Sequence, residues 1–329
     1  MTPGPDFSGK HEDRAPSSVD DPPANGDWTE STAMGTTVHL CLVDPAGGAA
    51  GESAALHALV TEVDAALSRF QPAGDVGRLN AATGTWQPVG SQLIAVAQAA
   101  ERYRELTGGV FDPITGAGPE PRLQVRPNGS GGWEARLAPA CSLDFGAIAK
   151  GYAADLVRDR ARAAGVLVSL GTSSISVSGR PPQRERWRIA IGSPWQALPE
   201  TLGYLEVEGG SFSMSGLRGQ RVHPGQVMMG HLRDPGTGAW ARTDLCAVGV
   251  LSDDGMRSEA LSTACLVLGL ERGTALAERL GVEALFLTVS GRLVASPGLA
   301  PKISLRAGVS RQLQDLRRAH VPPNGNGST

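Results

Sequence analysis

The sequence lacks the excess of positive charge that a nucleic-acid partner would require. Its 30 Lys and Arg residues are balanced by 33 Asp and Glu residues, and the formal net charge is −3. The only basic block is the short stretch RRAH near the C-terminal end. A nucleic-acid-binding surface normally concentrates Lys and Arg on one face. We therefore predict that the protein has no nucleic-acid partner.

Cysteine and long apolar runs are also scarce. The four cysteines, Cys41, Cys141, Cys246 and Cys265, lie far apart, form no CxxC pair and each sit within an apolar run. This favours buried free thiols in a reducing compartment over a disulfide framework or a zinc site. We find neither the apolar region of a signal peptide nor a run approaching the roughly 20 apolar residues of a membrane span. We predict a cytoplasmic protein without a membrane anchor.

The composition is otherwise that of a globular protein, with 41% hydrophobic and 19% charged residues. Residues 1–31 are rich in Pro, Gly, Ser and Asp, which predicts a disordered N-terminal tail. Residues 308–329 end in VPPNGNGST and are predicted to form a flexible C-terminal tail. The folded body is expected to be a single unit over 32–307, long enough to enclose a substantial core.

Within the body, strands come in runs and are mixed with a few helices. Apolar residues at helical spacing predict helices near 52–68, 90–107, 147–164, 257–270 and 272–280. The segment RFQPAGDVGRLN is predicted to be a loop, and a Gly- and Pro-rich loop follows GGVFDPITG. This arrangement favours an α+β fold of mixed or antiparallel sheets with packed helices over a doubly wound sheet.

The stretch RSEALSTACLVLGL places Glu259 and Thr263 four residues apart, on the same side of a predicted helix. A carboxylate near a helix start is favoured by the helix dipole, so one interpretation is helix capping. The other interpretation is a metal site, because the pair offers two oxygen ligands from one helix face.

The segment LDFGAIAKGYAADLV has the same ambiguity. Asp144 precedes a predicted helix start, and Lys150 lies within the first turns of that helix. Free N–H groups and a lysine at a helix start suit a phosphate group. Capping by Asp144 with a solvated Lys150 is the simpler interpretation, and the residues alone favour it.

Three further segments carry candidate site residues. His231 stands just before the tight turn DPG, which could hold its ring in a defined direction. Phe111 and Asp112 lie between two Gly clusters, where the ring could grip a planar ligand or be buried in a turn. Met34 precedes the first predicted strand, and a methionine in such a place is usually part of the core.

Taken together, these segments resemble the ApbE-type flavin transferases, the FAD:protein FMN transferases. The resemblance covers about residues 32–300. It rests on the order of these segments: AMGTT, LSRFQPAGDVGRLN, GGVFDPITG, LDFGAIAKGYAADLV, SGRPP followed by WRIAI, SMSG, GHLRDPGTG and SEALSTACLVLG. The most specific of them are DFGAIAKGYA and HLRDPGTG. The resemblance implies a single α+β body with a flavin site in a central cleft.

The resemblance also implies a reaction. The family transfers FMN from FAD to a Ser or Thr hydroxyl of a target flavoprotein with Mg²⁺ and releases AMP. The residues that would contact FAD are Met34, Phe70, Val110, Phe111, Asp112, Asp144, Lys150 and His231.

The metal would be held by the Ala147 carbonyl and by the Glu259 and Thr263 side chains. Lys150, Glu259 and His231 would be the catalytic residues. His231 would orient the diphosphate or accept the proton of the acceptor hydroxyl, and the residues leave both roles open.

Two departures from the family pattern leave alternatives open. The family usually has Asp where this chain has Glu259, and a GGD stretch where it has Gly171-Thr172-Ser173-Ser174. One alternative is a flavin-binding relative with weakened catalysis. The other is a metal-dependent FAD pyrophosphatase, in which water is the acceptor and the products are FMN and AMP.

Overall fold

The computed structural model describes residues 26–46, 48–195, 197–216 and 243–319. The strands are β1 (Asp27–Ala33), β2 (Thr36–Val43), β3 (Gln87–Val89), β4 (Ile114–Gly116), β5 (Leu123–Pro127), β6 (Trp133–Leu137), β7 (Cys141–Leu143), β8 (Gly165–Leu170), β9 (Ser174–Gly179), β10 (Trp187–Gly192), β11 (Thr201–Val207), β12 (Gly210–Gly216), β13 (Leu245–Ser252), β14 (Glu283–Thr288), β15 (Leu293–Ala295) and β16 (Ile303–Leu305). The helices are α1 (Ala49–Leu67), α2 (Asp75–Ala81), α3 (Ser91–Leu106), α4 (Ala149–Arg160), α5 (Gly255–Leu280) and α6 (Val309–Ala319).

Eight strands form the main sheet, in the order β1-β2-β8-β9-β12-β13-β14-β15. Every neighbouring pair in this sheet is antiparallel. Three small antiparallel sheets, β10-β11-β16, β3-β6-β5 and β4-β7, complete the architecture. The predicted α+β fold with antiparallel sheets and packed helices is confirmed.

The main sheet separates two hydrophobic cores. Alternate residues of a strand point to opposite faces of a sheet, and β2 shows this directly. Leu40 and Leu42 belong to the core shared with α1, α3, α4 and α5, whereas Cys41 belongs to the core beneath β10, β11 and α6. The central strands β8 and β13 are buried on both faces and read as nearly continuous apolar runs, whereas β9 and β12 alternate serine with apolar residues.

The boundaries of the predicted tails differ from the structure at both ends. Strand β1 begins at Asp27, within the segment 1–31 that was predicted to be disordered. Helix α6 lies within the predicted flexible tail 308–329, and its Val309, Leu313 and Leu316 are buried against the second core. These three residues follow helical spacing, so the apolar stripe was present among the charged residues. Residues 1–25 and 320–329 lie outside the described residues.

Two helix predictions also need correction. The segment RFQPAGDVGRLN, predicted to be a loop, contains the short helix α2. The two helices predicted near 257–270 and 272–280 are joined in α5, where the non-helical backbone of Gly269 (φ +78°) marks a kink between them. Helix α5 is long and apolar enough to cross a membrane by length and composition alone, but 61% of its most apolar window is buried inside this protein.

Helices α4 and α5 approach each other closely at a pair of glycines. A Cβ atom on Gly151 would lie 2.1 Å from the Gly255 carbonyl oxygen, and one on Gly255 would lie 2.5 Å from the Gly151 carbonyl oxygen. No side chain fits at either distance, so the crossing requires glycine on both helices. The contact sets Lys150 of α4 beside Glu259 of α5.

We predict that Gly151→Ala destabilises the protein by about 3 kcal/mol, because the added methyl group must push α4 and α5 apart. Urea unfolding followed by circular dichroism would measure the change. The matched control is Gly51→Ala in α1, where no atom lies within 4 Å of the added carbon. This control should change stability by less than about 1 kcal/mol. Equal effects of the two substitutions would contradict the tight helix crossing.

His57 of α1 links the helix to strand β1 through both ring nitrogens. Its Nε2 lies 2.9 Å from the Thr29 hydroxyl, and its Nδ1 lies 2.6 Å from the Ser31 hydroxyl. The neutral ring can donate from one nitrogen and accept at the other. Burial lowers the pKa of His57 below its ordinary value of 6.5, so the fold favours the neutral ring.

Because the pKa of His57 is lower in the folded state, the folded protein binds fewer protons there than the unfolded chain does. The neutral His57 ring therefore contributes fully to the free energy of unfolding above the pKa that His57 has in the unfolded chain. This contribution is lost as the pH falls through the lower pKa of His57 in the folded protein. We expect the urea concentration at the midpoint of unfolding to be lower at pH 5.5 than at pH 7.5. This decrease should be larger in the unmodified protein than in His57→Gln. An identical pH dependence of the two proteins would contradict this role.

Candidate functional site

A buried carboxylate lies at the centre of the candidate site. Glu259 is 4% exposed, and its Oε1 lies 3.2 Å from the Lys150 ammonium group. The same oxygen accepts a hydrogen bond from the Ser174 hydroxyl at 2.5 Å, and Oε2 accepts one from the Gly151 N–H at 2.9 Å. A charge removed from water needs such partners. Three donors from two further elements, α4 and β9, therefore hold this carboxylate.

The capping interpretation of Glu259 is wrong. The N-cap of α5 is Asp254, whose carboxylate accepts a hydrogen bond from the Arg257 N–H at 3.0 Å. Glu259 follows the first turn and points its carboxylate to another helix and to the sheet. The carboxylate therefore serves the contact between α4, α5 and β9 instead of the start of its own helix.

Glu259 also completes the hydrogen bonding at the start of α4. The helix begins at Ala149, so the Gly151 N–H is one of the first helical N–H groups, which have no carbonyl partner within their own helix. This N–H donates to the Glu259 carboxylate, and the regular helical pattern begins with the Tyr152 N–H, which donates to the Ile148 carbonyl at 3.2 Å. Glu259 of α5 therefore supplies an acceptor that α4 itself lacks, and Ala147 lies just before this helix start.

Thr263 lies one helical turn after the carboxylate, and strand β12 positions it. The Ser215 hydroxyl is 3.0 Å from the Thr263 hydroxyl and 2.8 Å from that of Ser262. Two residues earlier on the same strand, Ser213 pairs with Ser258 of α5 at 2.8 Å. These hydroxyl pairs fix the register of α5 on β12, and with it the position of the site.

The three residues predicted to hold a cation all offer oxygen donors. The Ala147 carbonyl, the Glu259 carboxylate and the Thr263 hydroxyl are hard ligands of the kind that Mg²⁺ and Ca²⁺ prefer. Within the described ranges, no group of three or more His, Cys, Asp and Glu residues could hold a metal. A cation here would depend on this mixed set of backbone and side-chain oxygens.

A second cluster of predicted residues surrounds Asp144. Its Oδ1 accepts a hydrogen bond from the Gly146 N–H at 2.8 Å, and its Oδ2 lies 3.2 Å from the Arg69 guanidinium. The N-cap of α4 is Ile148 and not Asp144, so the capping interpretation of Asp144 is wrong. The residue instead closes a tight turn before the helix and remains about half exposed.

The same arginine reaches the most exposed aromatic side chain of the site. The Arg69 guanidinium lies 4.5 Å from the centre of the Phe70 ring, and Phe70 is 76% exposed. An exposed ring beside a cation and a carboxylate is suited to stack on a planar ligand. Phe111, by contrast, is 3% exposed and packs in the main core. The structure favours the interpretation of Phe111 as a buried turn residue.

Asp112 stabilises the turn that contains Phe111. Its carboxylate accepts a hydrogen bond from the Ile114 N–H at 2.9 Å and forms an ion pair with Arg122. The Asp144 N–H donates to the Pro113 carbonyl at 2.8 Å, which joins this turn to the second cluster. Val110, just before the turn, packs partly buried against the main core. The predicted residues of this segment thus lie next to Asp144.

The last two predicted residues have different outcomes. Met34 lies in the turn between β1 and β2 with φ +54°, and its N–H donates to the Asp64 carboxylate at 2.8 Å. Its side chain is partly buried against the core. His231 and its DPG turn fall within residues 217–242, outside the described residues. Its role stays a prediction.

Sequence reasoning missed three residues of the site. Arg69 stands next to Phe70 in a segment that carried the resemblance, but nothing indicated its pairing with Asp144. Ser174 was noticed only as part of a departure, and Ser215 only as part of SMSG. Their partners, Glu259 and Thr263, are distant in sequence, so no local pattern could have linked them.

Comparisons with known proteins identify similar sequences over most of the chain. The family model described as ApbE family matches residues 34–118 and 118–286. The FAD:protein FMN transferase of Treponema pallidum (strain Nichols) is 28% identical over 299 residues, covering 76% of this chain and 83% of that protein. The FAD:protein FMN transferase of Vibrio cholerae (strain O395) is 26% identical, covering 78% of this chain and 85% of that protein.

Solved structures show the same fold. The flavin transferase ApbE from Vibrio cholerae superposes with a TM-score of 0.73 at 23% identity, covering 85% of this chain and all of that one (100%). The apo form of the Pseudomonas stutzeri flavinyl transferase ApbE has a TM-score of 0.68 at 26% identity, covering 84% of this chain and 96% of that one.

We predict that Lys150→Met destabilises the protein by about 2–3 kcal/mol, because it leaves the buried Glu259 carboxylate without its cation. Urea unfolding would measure the loss. The double variant Lys150→Met/Glu259→Gln should recover at least half of it, because no unpaired charge remains. The control is Arg186→Met, which removes an exposed ion pair with Glu208 and should cost less than about 1 kcal/mol. No recovery in the double variant would contradict the electrostatic explanation.

Proposed function

Because the chain belongs to the ApbE family, we propose that it is an FAD:protein FMN transferase that uses Mg²⁺. The reaction would move FMN from FAD to a Ser or Thr hydroxyl of a target flavoprotein and release AMP. The observation that carries the proposal is the buried Glu259 carboxylate, held beside Lys150 at the start of α4. Such an arrangement suits a diphosphate and its cation better than a purely structural contact.

Lys150 is the residue that we assign to the diphosphate of FAD. Its side chain is 20% exposed, and its ammonium group lies 3.1 Å from the Gly146 carbonyl oxygen and 3.2 Å from Glu259. It is therefore held at the start of α4, where the helix dipole also favours negative charge. A lysine binds phosphate as a point charge with three donors.

The exposed cluster of Arg69, Phe70 and Asp144 would bind the planar part of FAD. Phe70 is largely exposed to solvent, and Arg69, whose guanidinium lies 4.5 Å from the centre of the ring, is paired with Asp144. Aromatic stacking and a nearby cation are a common way to bind a planar ring. Met34, Val110 and Asp112 would contribute through the turns that they occupy.

Mg²⁺, held by Ala147, Glu259 and Thr263, would neutralise the diphosphate and stabilise the charge on the departing AMP. In the reaction the acceptor oxygen forms a bond to the phosphorus of the FMN half. The bond from that phosphorus to the oxygen of AMP breaks, and the acceptor proton passes to a base. His231 is our candidate for that base or for orienting the diphosphate, on the resemblance alone.

We also propose a reducing, cytoplasmic location. Cys41, Cys141, Cys246 and Cys265 are all buried and unpaired, and burial raises the pKa of Cys41, Cys246 and Cys265 to about 12. Thiols with such pKa values are inert packing groups. Free cysteines of this kind are typical of proteins from reducing compartments.

The proposal predicts flavin labelling of an acceptor protein. The purified protein would be incubated with FAD, Mg²⁺ and candidate flavoprotein acceptors, and the acceptor examined for in-gel flavin fluorescence. We expect Glu259→Ala to reduce labelling at least about 100-fold, because a ligand of the cation is lost. The control, Glu206→Ala on β11, removes a carboxylate from the small sheet on the other side of the main sheet and should leave labelling unchanged.

Other outcomes would separate the alternatives. Release of FMN and AMP without an acceptor, as the main activity, would support the pyrophosphatase. Tight FAD binding without either reaction would support a flavin-binding relative. Full labelling by Glu259→Ala would show that the metal assignment is wrong.

A further inference from the structure

Ser174 makes a contact that the proposed reaction does not by itself require. It is the first residue of β9 and is 0% exposed, and its hydroxyl donates to Glu259 Oε1 at 2.5 Å. The next residue on the same face, Ser176, is equally buried but donates to Asp155 at 2.7 Å. Two buried serines of one strand therefore serve two different carboxylates, and only Ser174 serves the site.

Two hydrogen bonds and the ion pair with Lys150 hold the Glu259 carboxylate. The Ser174 hydroxyl fixes Oε1 from the sheet, and the Gly151 N–H fixes Oε2 from α4. A free glutamate side chain would populate several rotamers, and one bond would still let the carboxylate rotate. Two bonds from different directions set both its position and its plane. The Ser174 bond is the shortest of the three contacts of this carboxylate, and it therefore helps to keep Oε2 on the Gly151 N–H.

The length of the side chain matters for the same reason. Helix α5 cannot move toward the sheet to compensate for a shorter residue, because its Gly255 already touches α4 and its Ser258 is paired with Ser213. Aspartate at position 259 would be shorter by one carbon–carbon bond, about 1.5 Å. It could not maintain hydrogen bonds to both β9 and α4.

We infer that Ser174 is a positioning residue for the cation site. Its hydrogen bond holds Glu259 where Oε2 accepts the Gly151 N–H, so that the carboxylate that would bind Mg²⁺ keeps one position. Ser174 and Glu259 thus form a matched pair, in which the longer carboxylate requires the hydroxyl on β9. The inference rests on the Mg²⁺ site of the proposed function, but not on transfer of FMN.

The test is the affinity for Mn²⁺, used as a spectroscopic substitute for Mg²⁺ and titrated by electron paramagnetic resonance without FAD. Ser174→Ala should weaken Mn²⁺ binding by about 10- to 100-fold, as expected when a partner that orients a metal ligand is lost. The matched control is Ser176→Ala, which removes a buried hydroxyl from the same strand and should stay within about 2-fold of the unmodified protein. Thermal unfolding of both variants in EDTA would show that they are folded.

A double-mutant cycle tests the pairing itself. In the Glu259→Asp background, Ser174→Ala should change Mn²⁺ affinity by less than about 2-fold, because the contact that it removes is already lost. Hydrogen exchange measured by mass spectrometry gives a second readout. The peptide covering the start of α4 should exchange faster in Ser174→Ala than in Ser176→Ala, because the Gly151 N–H loses its fixed acceptor.

Three results would overturn the inference: unchanged Mn²⁺ affinity in Ser174→Ala, an equal loss in Ser176→Ala, or no Mn²⁺ binding by the unmodified protein. Labelling of an acceptor protein is measured separately. Ser174-dependent Mn²⁺ binding without labelling would support the pairing and count against FMN transfer. Labelling of an acceptor together with a Mn²⁺ affinity that does not depend on Ser174 would support FMN transfer and contradict the pairing.

Discussion

The close contact between α4 and α5 at Gly151 and Gly255 is the constraint on which the site depends. Neither glycine can carry a side chain without meeting the carbonyl oxygen of the other. With the helices this close, the Glu259 side chain reaches the backbone of α4, and Lys150 reaches the carboxylate. A wider crossing would separate the charges and leave a buried carboxylate without partners, which is among the most costly arrangements in a protein interior.

The site shares its interactions with the core of the protein. Glu259 is bound to α4 and β9 at once, and the hydroxyl pairs between β12 and α5 hold Thr263 in register with it. Such hydrogen-bonded polar networks are rigid, and Glu259 and Ser215 each contact more than one partner here. The candidate cation ligands are therefore prearranged by contacts that also stabilise the fold, whereas the Arg69 and Phe70 side chains stand in solvent at the edge of the site.

Local sequence patterns predicted much of the fold, and the errors of these predictions have physical causes. Runs of apolar strands indicated antiparallel sheets, and the long amphipathic helices were placed within a few residues. Helix α6 was missed because three apolar residues among charged neighbours outline a helix only when a second core is there to bury them. Helix α2 was missed because it is short and rich in turn-forming residues. At the site, the aromatic residue available to a ligand is Phe70, and burial of Phe111 was decided by packing.

The sequence by itself determined the fold class, the family and the pairing of Glu259 with Thr263 on one helix face, because these depend on periodicity and on the order of motifs along the chain. Only the tertiary structure decided what the Glu259 carboxylate touches. Ser174, Gly151 and Lys150 are brought to it by the crossing of two helices over one sheet. Such contacts join residues that are distant in sequence, and their distances are set by packing, on which local sequence carries no information.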